Sequence, residues 1–180
     1  MFVKPEEVLK NIGIERGTIM ADFGAGSGHY VFAAAKMAGE DGRVYAIDIQ
    51  KDLLGRIKSH AEEGHLENLE IIWANLENQK GSRLADRSLD IVIISNLLFQ
   101  VETERRKDVI LEAKRVLKPG GVVAVIDWEN DSGTGQALGP SAIQRVGRDE
   151  MRVMCLQAGL KFEREFEAGD NHYGLLFKSP

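Results

Sequence analysis

The stretch Asp22-Phe23-Gly24-Ala25-Gly26-Ser27-Gly28 decides how this chain is read. It ends the apolar run Thr18-Ile19-Met20-Ala21-Asp22-Phe23, which has the length of a buried strand, and it precedes a small-residue stretch from about His29 to Met37 with helical character. Glycines at such a junction let the backbone turn sharply and let a ligand approach the main chain closely. A dinucleotide fingerprint would need glycine where His29 stands, and a phosphate-cradling loop would need Gly-Lys-Ser/Thr, which is missing here. The loop suits a ligand but fits a pyrophosphate poorly. A tight strand-to-helix turn with no ligand is the alternative reading of the glycines taken alone.

Outward from this loop, strands alternate with helices. Pro5, with Glu6 and Glu7 behind it, suits the first turn of a short helix within residues 1–14. Strands are expected at Arg43–Asp48, Leu69–Trp73, Ser88–Ser95 and Val122–Trp128, with a helix at Asp52–Glu63. The longest helix is expected at Thr103–Leu117, stopped by Pro119-Gly120-Gly121. A helix at about Asp149–Ala158 precedes two runs, Lys161–Glu167 and Tyr173–Lys178, that read as a closing hairpin. The pattern is α/β, a mostly parallel seven-stranded sheet with helices on both faces. Residues 129–148 break the rhythm. They hold four glycines and little periodicity, and are a candidate lid or a plain connector.

The 180 residues are expected to form a single domain. Lys+Arg total 23 and Asp+Glu 28, a net charge of -5, which argues against nucleic acid and membrane surfaces as partners. The apolar runs fall far short of the roughly 18–20 residues that span a bilayer, and the N-terminus shows no signal peptide, so a cytoplasmic protein is expected. Cys155, the single cysteine, lies at core spacing with Met151, Met154 and Ala158. The four histidines lack metal-ligand spacing, so no metal is expected. Arg105-Arg106-Lys107 reads as a solvated face.

Three further positions bear on ligand binding. Asp48, at the end of the second strand and about 20 residues past the glycine loop, can accept both hydrogens of a ribose diol, or it can cap the helix that follows. Asn75-Leu76 offers an amide carbonyl beside a backbone N–H, a pair able to read an adenine edge, or else a turn asparagine. Ser95-Asn96 ends the fourth strand with two small polar residues.

Taken together, these segments resemble the class I S-adenosylmethionine-dependent methyltransferases, of the small-molecule and quinone-biosynthesis type. Asp22–Gly28 is similar to the family's acidic-x-Gly-x-Gly-x-Gly motif, and Asp48 to its ribose-binding acid. Asn75 stands where the family usually has Asp, and Val116-Leu117-Lys118-Pro119-Gly120-Gly121 resembles the turn before its fifth strand. The resemblance implies a Rossmann-like sheet of order 3-2-1-4-5-7-6 with the last strand antiparallel. It also implies S-adenosyl-L-methionine as cofactor, S-adenosyl-L-homocysteine as product, and a cofactor site of Asp22, Phe23, Gly24, Ala25, Gly26, Gly28, Asp48, Ile49, Asn75, Leu76 and Ser95.

The implied reaction is in-line methyl transfer to a small or medium acceptor. Asn96 is a candidate for positioning the acceptor, Asp127 or Glu129 for taking a proton, and His29 for facing the substrate. Leu97-Leu98-Phe99 stands where the nucleic-acid amino-methylating enzymes carry a Pro-Pro-aromatic run. The acceptor site is expected to be built from the N-terminal helix, residues 97–101, the 129–148 loop or a second subunit, as a homodimer or with a partner chain. A non-catalytic cofactor-binding partner subunit and a nicotinamide-dependent oxidoreductase are the competing functions, and His29 argues against the second.

Overall fold

A computed structural model describes residues 4–130 and 139–180. Helix α1 (Pro5–Ile12) begins on Pro5, carries Glu6 and Glu7 in its first turn and buries Val8, Leu9 and Ile12. Strand β1 (Ile19–Phe23) leads through the glycine turn to α2 (Val31–Ala38), and β2 (Arg43–Asp48) leads to α3 (Lys51–Glu63) and β3 (Leu69–Trp73). Then follow β4 (Leu89–Ser95), α4 (Arg106–Val116), β5 (Leu117–Trp128), α5 (Arg148–Gln157), β6 (Lys161–Glu167) and β7 (His172–Lys178). Among the described residues the sheet has seven strands in the order β3-β2-β1-β4-β5-β7-β6. All neighbours are parallel except those of β7, which runs antiparallel to both β5 and β6.

Side chains alternate across each strand and feed two cores. Ala21, Phe23, Ile94, Val125 and Leu175 join one core with α4 and α5, while Met20, Ala46, Ile93, Ile126 and Leu176 join the other with α1, α2 and α3. By the same alternation Asp22, Asp48, Ser95, Trp128 and His172 share the face of α1–α3. Asp127 and Tyr173 share the face of α4 and α5.

Two expected elements differ. Residues 103–117 do not form one helix: Thr103–Arg105 is a 3-10 turn, α4 ends at Val116, and the 13-residue α3 is the longest helix among the described residues. Leu117 already pairs with Leu89, so β5 begins there and carries Pro119-Gly120-Gly121 inside it, at a register shift opposite Leu89/Ile91. A Cβ on Gly121 would lie 2.9 Å from the Asp90 carbonyl, which explains glycine at that crossing. Arg106 is not on a solvated face. It is buried, its Nε donates to the carbonyls of Leu98 (3.0 Å) and Val101 (3.2 Å), and it ties residues 98–101 to α4.

The middle of the candidate lid, 131–138, lies outside the described residues. Its described ends are tied down. Tyr173 donates to the Val146 carbonyl at 2.8 Å, Val146 is fully buried, and Arg145 donates to the Glu129 carbonyl at 2.6 Å. Among the described residues no helix is long and apolar enough to cross a membrane.

Candidate active site

The C-terminal ends of β1, β2, β4 and β5 open on one edge, where ligands gather in sheets of this kind. At the end of β1 the chain leaves the strand with Gly24 and Ala25 N–H both donating to the Ile47 carbonyl, at 2.8 and 3.0 Å. Gly26 and Gly28 then adopt φ of +54° and +87°, left-handed conformations that side chains rarely accept. A Cβ on Gly28 would also strike Phe32 at 2.6 Å, whereas that of Gly26 meets only the Gly24 carbonyl, at 3.8 Å. The loop is thus built around its glycines, and the surface above Gly26 is open.

Asp48 locks this loop to the next strand. Its Oδ2 accepts the Gly26 N–H at 2.9 Å and its Oδ1 accepts the Gln50 N–H at 2.8 Å. Gln50 is the N-cap of α3, so the helix-end role and a ligand-facing role coexist in one carboxylate. One bond per oxygen leaves lone pairs free, since a carboxylate offers about four acceptor sites. Asp22 lies beside it, 2 % exposed, with Oδ1 buried and unpartnered among the described residues. Burial, with the charge of Asp48 second, pushes the Asp22 carboxyl up to about 7. A buried acid with an unsatisfied oxygen at a ligand-facing edge calls for a cationic or hydrogen-bond-donating group from outside.

Not every predicted residue offers its side chain to this edge. Phe23 and Leu76 point into the α4–α5 core, so only their backbone is available. The Asn75 oxygen accepts the Glu77 N–H at 2.9 Å, which makes it a turn asparagine with one lone pair left over. Ile49 is 55 % exposed beside the edge, and its carbonyl accepts the Trp73 indole N–H at 2.9 Å. Ala25 is buried, and Leu97 covers Gly24 closely enough that a Cβ there would lie 2.9 Å from it.

The proposed acid–base residues separate. Asp127 is fully buried on the α4–α5 face, accepts the N–H of Trp128 at 2.8 Å, and is raised to about 6 by burial against the opposing pull of that hydrogen bond and of Arg106. Strand alternation turns it away from the edge where Asp22 and Asp48 sit, so it is poorly placed as the base. Glu129 is committed to an ion pair with Arg148. His29 stays at the edge, its ring edge-on to Tyr30 at 4.7 Å, its pKa lowered by burial against the pull of Glu6. Asn96 stays there too, in a left-handed conformation (φ +50°) that asparagine tolerates better than most residues.

Two residues at this edge escaped the sequence reading. Tyr30 is buried, and burial, with the nearby charge of Asp22 second, pushes its hydroxyl up to about 12 against the opposing pull of Ser95. His172 opens β7 opposite Trp128, stacks on the Trp128 ring at 4.2 Å, and places Nε2 3.1 Å from the Asn96 oxygen. Tyr30 was detectable as the residue at the entry to α2. Nothing local marks His172, because β7 reaches this edge only through its antiparallel return.

A chain folded this way, with an acid-ended glycine loop held by the acid of the next strand, is a methyltransferase domain of the Rossmann-like class. Residues 14–167 match the family model described as "Methyltransferase domain", and the chain belongs to that family. An arsenite methyltransferase of Halobacterium salinarum is 28% identical over 81% of this chain and 38% of its own length. A demethylmenaquinone methyltransferase of Geobacillus is 29% identical over 68% of this chain and 50% of its own. A solved SAM-dependent methyltransferase from Aquifex aeolicus superposes with a TM-score of 0.87 at 27% identity, covering 98% of this chain and 89% of that one. The chain spans half or less of the length of these two curated relatives.

The family implies S-adenosylmethionine, and the residues present fit it: an open left-handed glycine at Gly26, a carboxylate at Asp48 with spare acceptor capacity, and a buried unpartnered acid at Asp22 suited to a cationic ligand.

Proposed function

We propose that residues 1–180 act as one domain that transfers a methyl group from S-adenosylmethionine to a small or medium organic acceptor. When bound, the cofactor supplies an activated sulfonium methyl. The observation that carries this reading is the Asp48 carboxylate, tied to both the glycine loop and the start of α3 with lone pairs to spare for a ribose diol. In the proposed complex Asp48 takes the ribose, the backbone from Gly24 to Gly26 lies along the cofactor, Ile49 covers an adenine face, and Asp22 answers the positive charge.

The chain's task in the reaction is alignment. Holding nucleophile and methyl about 3–3.5 Å apart and in line supplies roughly 7–11 kcal/mol of the barrier. Trp128 and His172 offer an aromatic wall for the acceptor, and Leu97 and Phe99, half-buried after β4, offer apolar contact. These surfaces favour a planar organic acceptor, in keeping with the demethylmenaquinone methyltransferases among the relatives. Cys155 is fully buried and its thiol is pushed up to about 12, so this chain presents no thiolate to a soft acceptor.

Calorimetry with S-adenosylhomocysteine and NAD, followed by turnover of methyl-labelled S-adenosylmethionine against a panel of phenols, quinols and amines, tests the proposal. Binding of the first ligand alone plus label transfer is expected. Binding of NAD would favour an oxidoreductase, and binding without transfer to any acceptor would favour a non-catalytic subunit.

A further inference from the structure

Acceptors that carry a hydroxyl must lose a proton during methyl transfer, and the two carboxylates suggested by sequence are turned away or ion-paired. We propose that His172, held by Asn96 and stacked on Trp128, is the group that takes the proton from a planar acceptor with an acidic hydroxyl, a phenol or an enol. This rests on the methyltransferase reading and names the chemistry of its acceptor site.

Three observations carry it. First, strand alternation puts His172 and Trp128 on the same face of the sheet as Asp22, Asp48 and Ser95, and His172 lies close enough to His29, beside the glycine loop, for the two charges to interact. Second, the Asn96 oxygen is an acceptor, so a Nε2–H donated to it over 3.1 Å fixes the tautomer and leaves the lone pair on Nδ1. Asn96 holds this position at a left-handed φ of +50°, which asparagine accepts, with its own N–H donating to the Ile126 carbonyl at 2.9 Å, so the backbone that carries the amide is fixed where the side chain meets the imidazole. Third, the Trp128 ring holds the His172 ring at 4.2 Å, tilted by 40°, and is itself packed by Gly139 and by Arg145 at 5.6 Å, so the imidazole is fixed in place by its neighbours.

The charged and titratable groups facing the imidazole are Arg145, Glu129 and His29. Burial and then Arg145 lower its pKa against the pull of Glu129, with His29 adding to the lowering. His172 is therefore neutral, and able to accept a proton, at neutral pH.

In the step, the acceptor O–H bond breaks and its electron pair forms the bond to the methyl carbon. The carbon–sulfur pair returns to sulfur, cancelling the sulfonium charge, and the proton rests on His172 until water removes it. Asn96 acts through His172 and is a positioning residue.

The test uses 4-nitrophenol, whose phenol and phenolate forms differ in colour, added to the full chain saturated with S-adenosylhomocysteine. Bound 4-nitrophenol should be enriched in phenolate by about tenfold or more over bulk, because an imidazolium formed beside it favours the anion. Nitrogen-15 spectra should show His172 protonated in that complex and neutral without the phenol. His172→Gln should keep S-adenosylhomocysteine affinity and abolish the phenolate enrichment. Asn96→Ala should reduce the enrichment and change the His172 tautomer signature, which a purely structural role would leave alone. Absence of phenol binding, neutral bound phenol, or undiminished phenolate in His172→Gln would each overturn the proposal. Failure of the wild-type chain to bind S-adenosylhomocysteine would overturn the methyltransferase reading instead.

Discussion

Replacing Asp22 by asparagine keeps the shape of the side chain and removes its charge. In the folded chain the Asp22 carboxyl is raised from 3.8 to about 7, chiefly by burial, so folding is opposed whenever the group must ionise. The folded state binds the proton more tightly than the unfolded state, so stability is greatest below the ordinary value of 3.8 and falls as pH rises towards 7. The full penalty is ~4 kcal/mol, at about 1.36 kcal/mol per tenfold change in proton affinity. The asparagine amide leaves a buried group short of partners, which costs about 1–3 kcal/mol. Asp22→Asn should therefore stabilise the ligand-free protein by ~1–3 kcal/mol at pH 8 and lose this advantage near pH 5. Urea unfolding of both proteins at the two pH values measures the difference, expected to change by ~3 kcal/mol between them. The same variant should bind S-adenosylmethionine more weakly, since it lacks the anion that answers the ligand's positive charge. Parallel pH dependence of stability in the two proteins would refute the reasoning, because it would mean that Asp22 ionises in the folded state as easily as in water.

Gly26→Val should fold and fail to bind S-adenosylhomocysteine in calorimetry. The β-branched side chain adds about 1–2 kcal/mol of strain at φ +54° and fills the open space above the loop. Retained affinity would remove the loop from the site. Cys155, buried with its thiol at about 12, should react with a thiol reagent at pH 8 only at the rate of unfolding, as followed by absorbance with and without urea. Reaction at the rate of a free thiol would mean that the α5 packing opens readily.

What the sequence made legible was local. The glycine loop, Asp48 at a strand end and the hydrophobic strands are written in neighbouring residues, whereas the strand order followed only from the family resemblance that these motifs carry. What stayed hidden depends on contacts between distant segments. His172 meets Trp128 and Asn96 only because β7 returns antiparallel along β5. Arg106 is buried because residues 98–101 turn their carbonyls towards α4, and no charge pattern announces that. Asp127 and Trp128 are adjacent in sequence but alternate across β5, so strand-end position alone does not say which face of the sheet a side chain takes. The start of β5 was missed because Pro119-Gly120-Gly121 reads as a stop, whereas the chain absorbs it as an irregularity within the strand.

The central claim is that Asp48 holds a ribose at the edge beside the glycine loop. Calorimetric titration of S-adenosylhomocysteine into the wild-type protein and into Asp48→Ala tests it most directly, with circular dichroism confirming that both are folded. One site per chain is predicted in the wild type. The variant should be weaker by roughly 1.5–3 kcal/mol, about 10- to 150-fold, for the loss of charge-assisted hydrogen bonds. Equal affinity in a folded Asp48→Ala protein, or no binding by the wild type, would contradict the account.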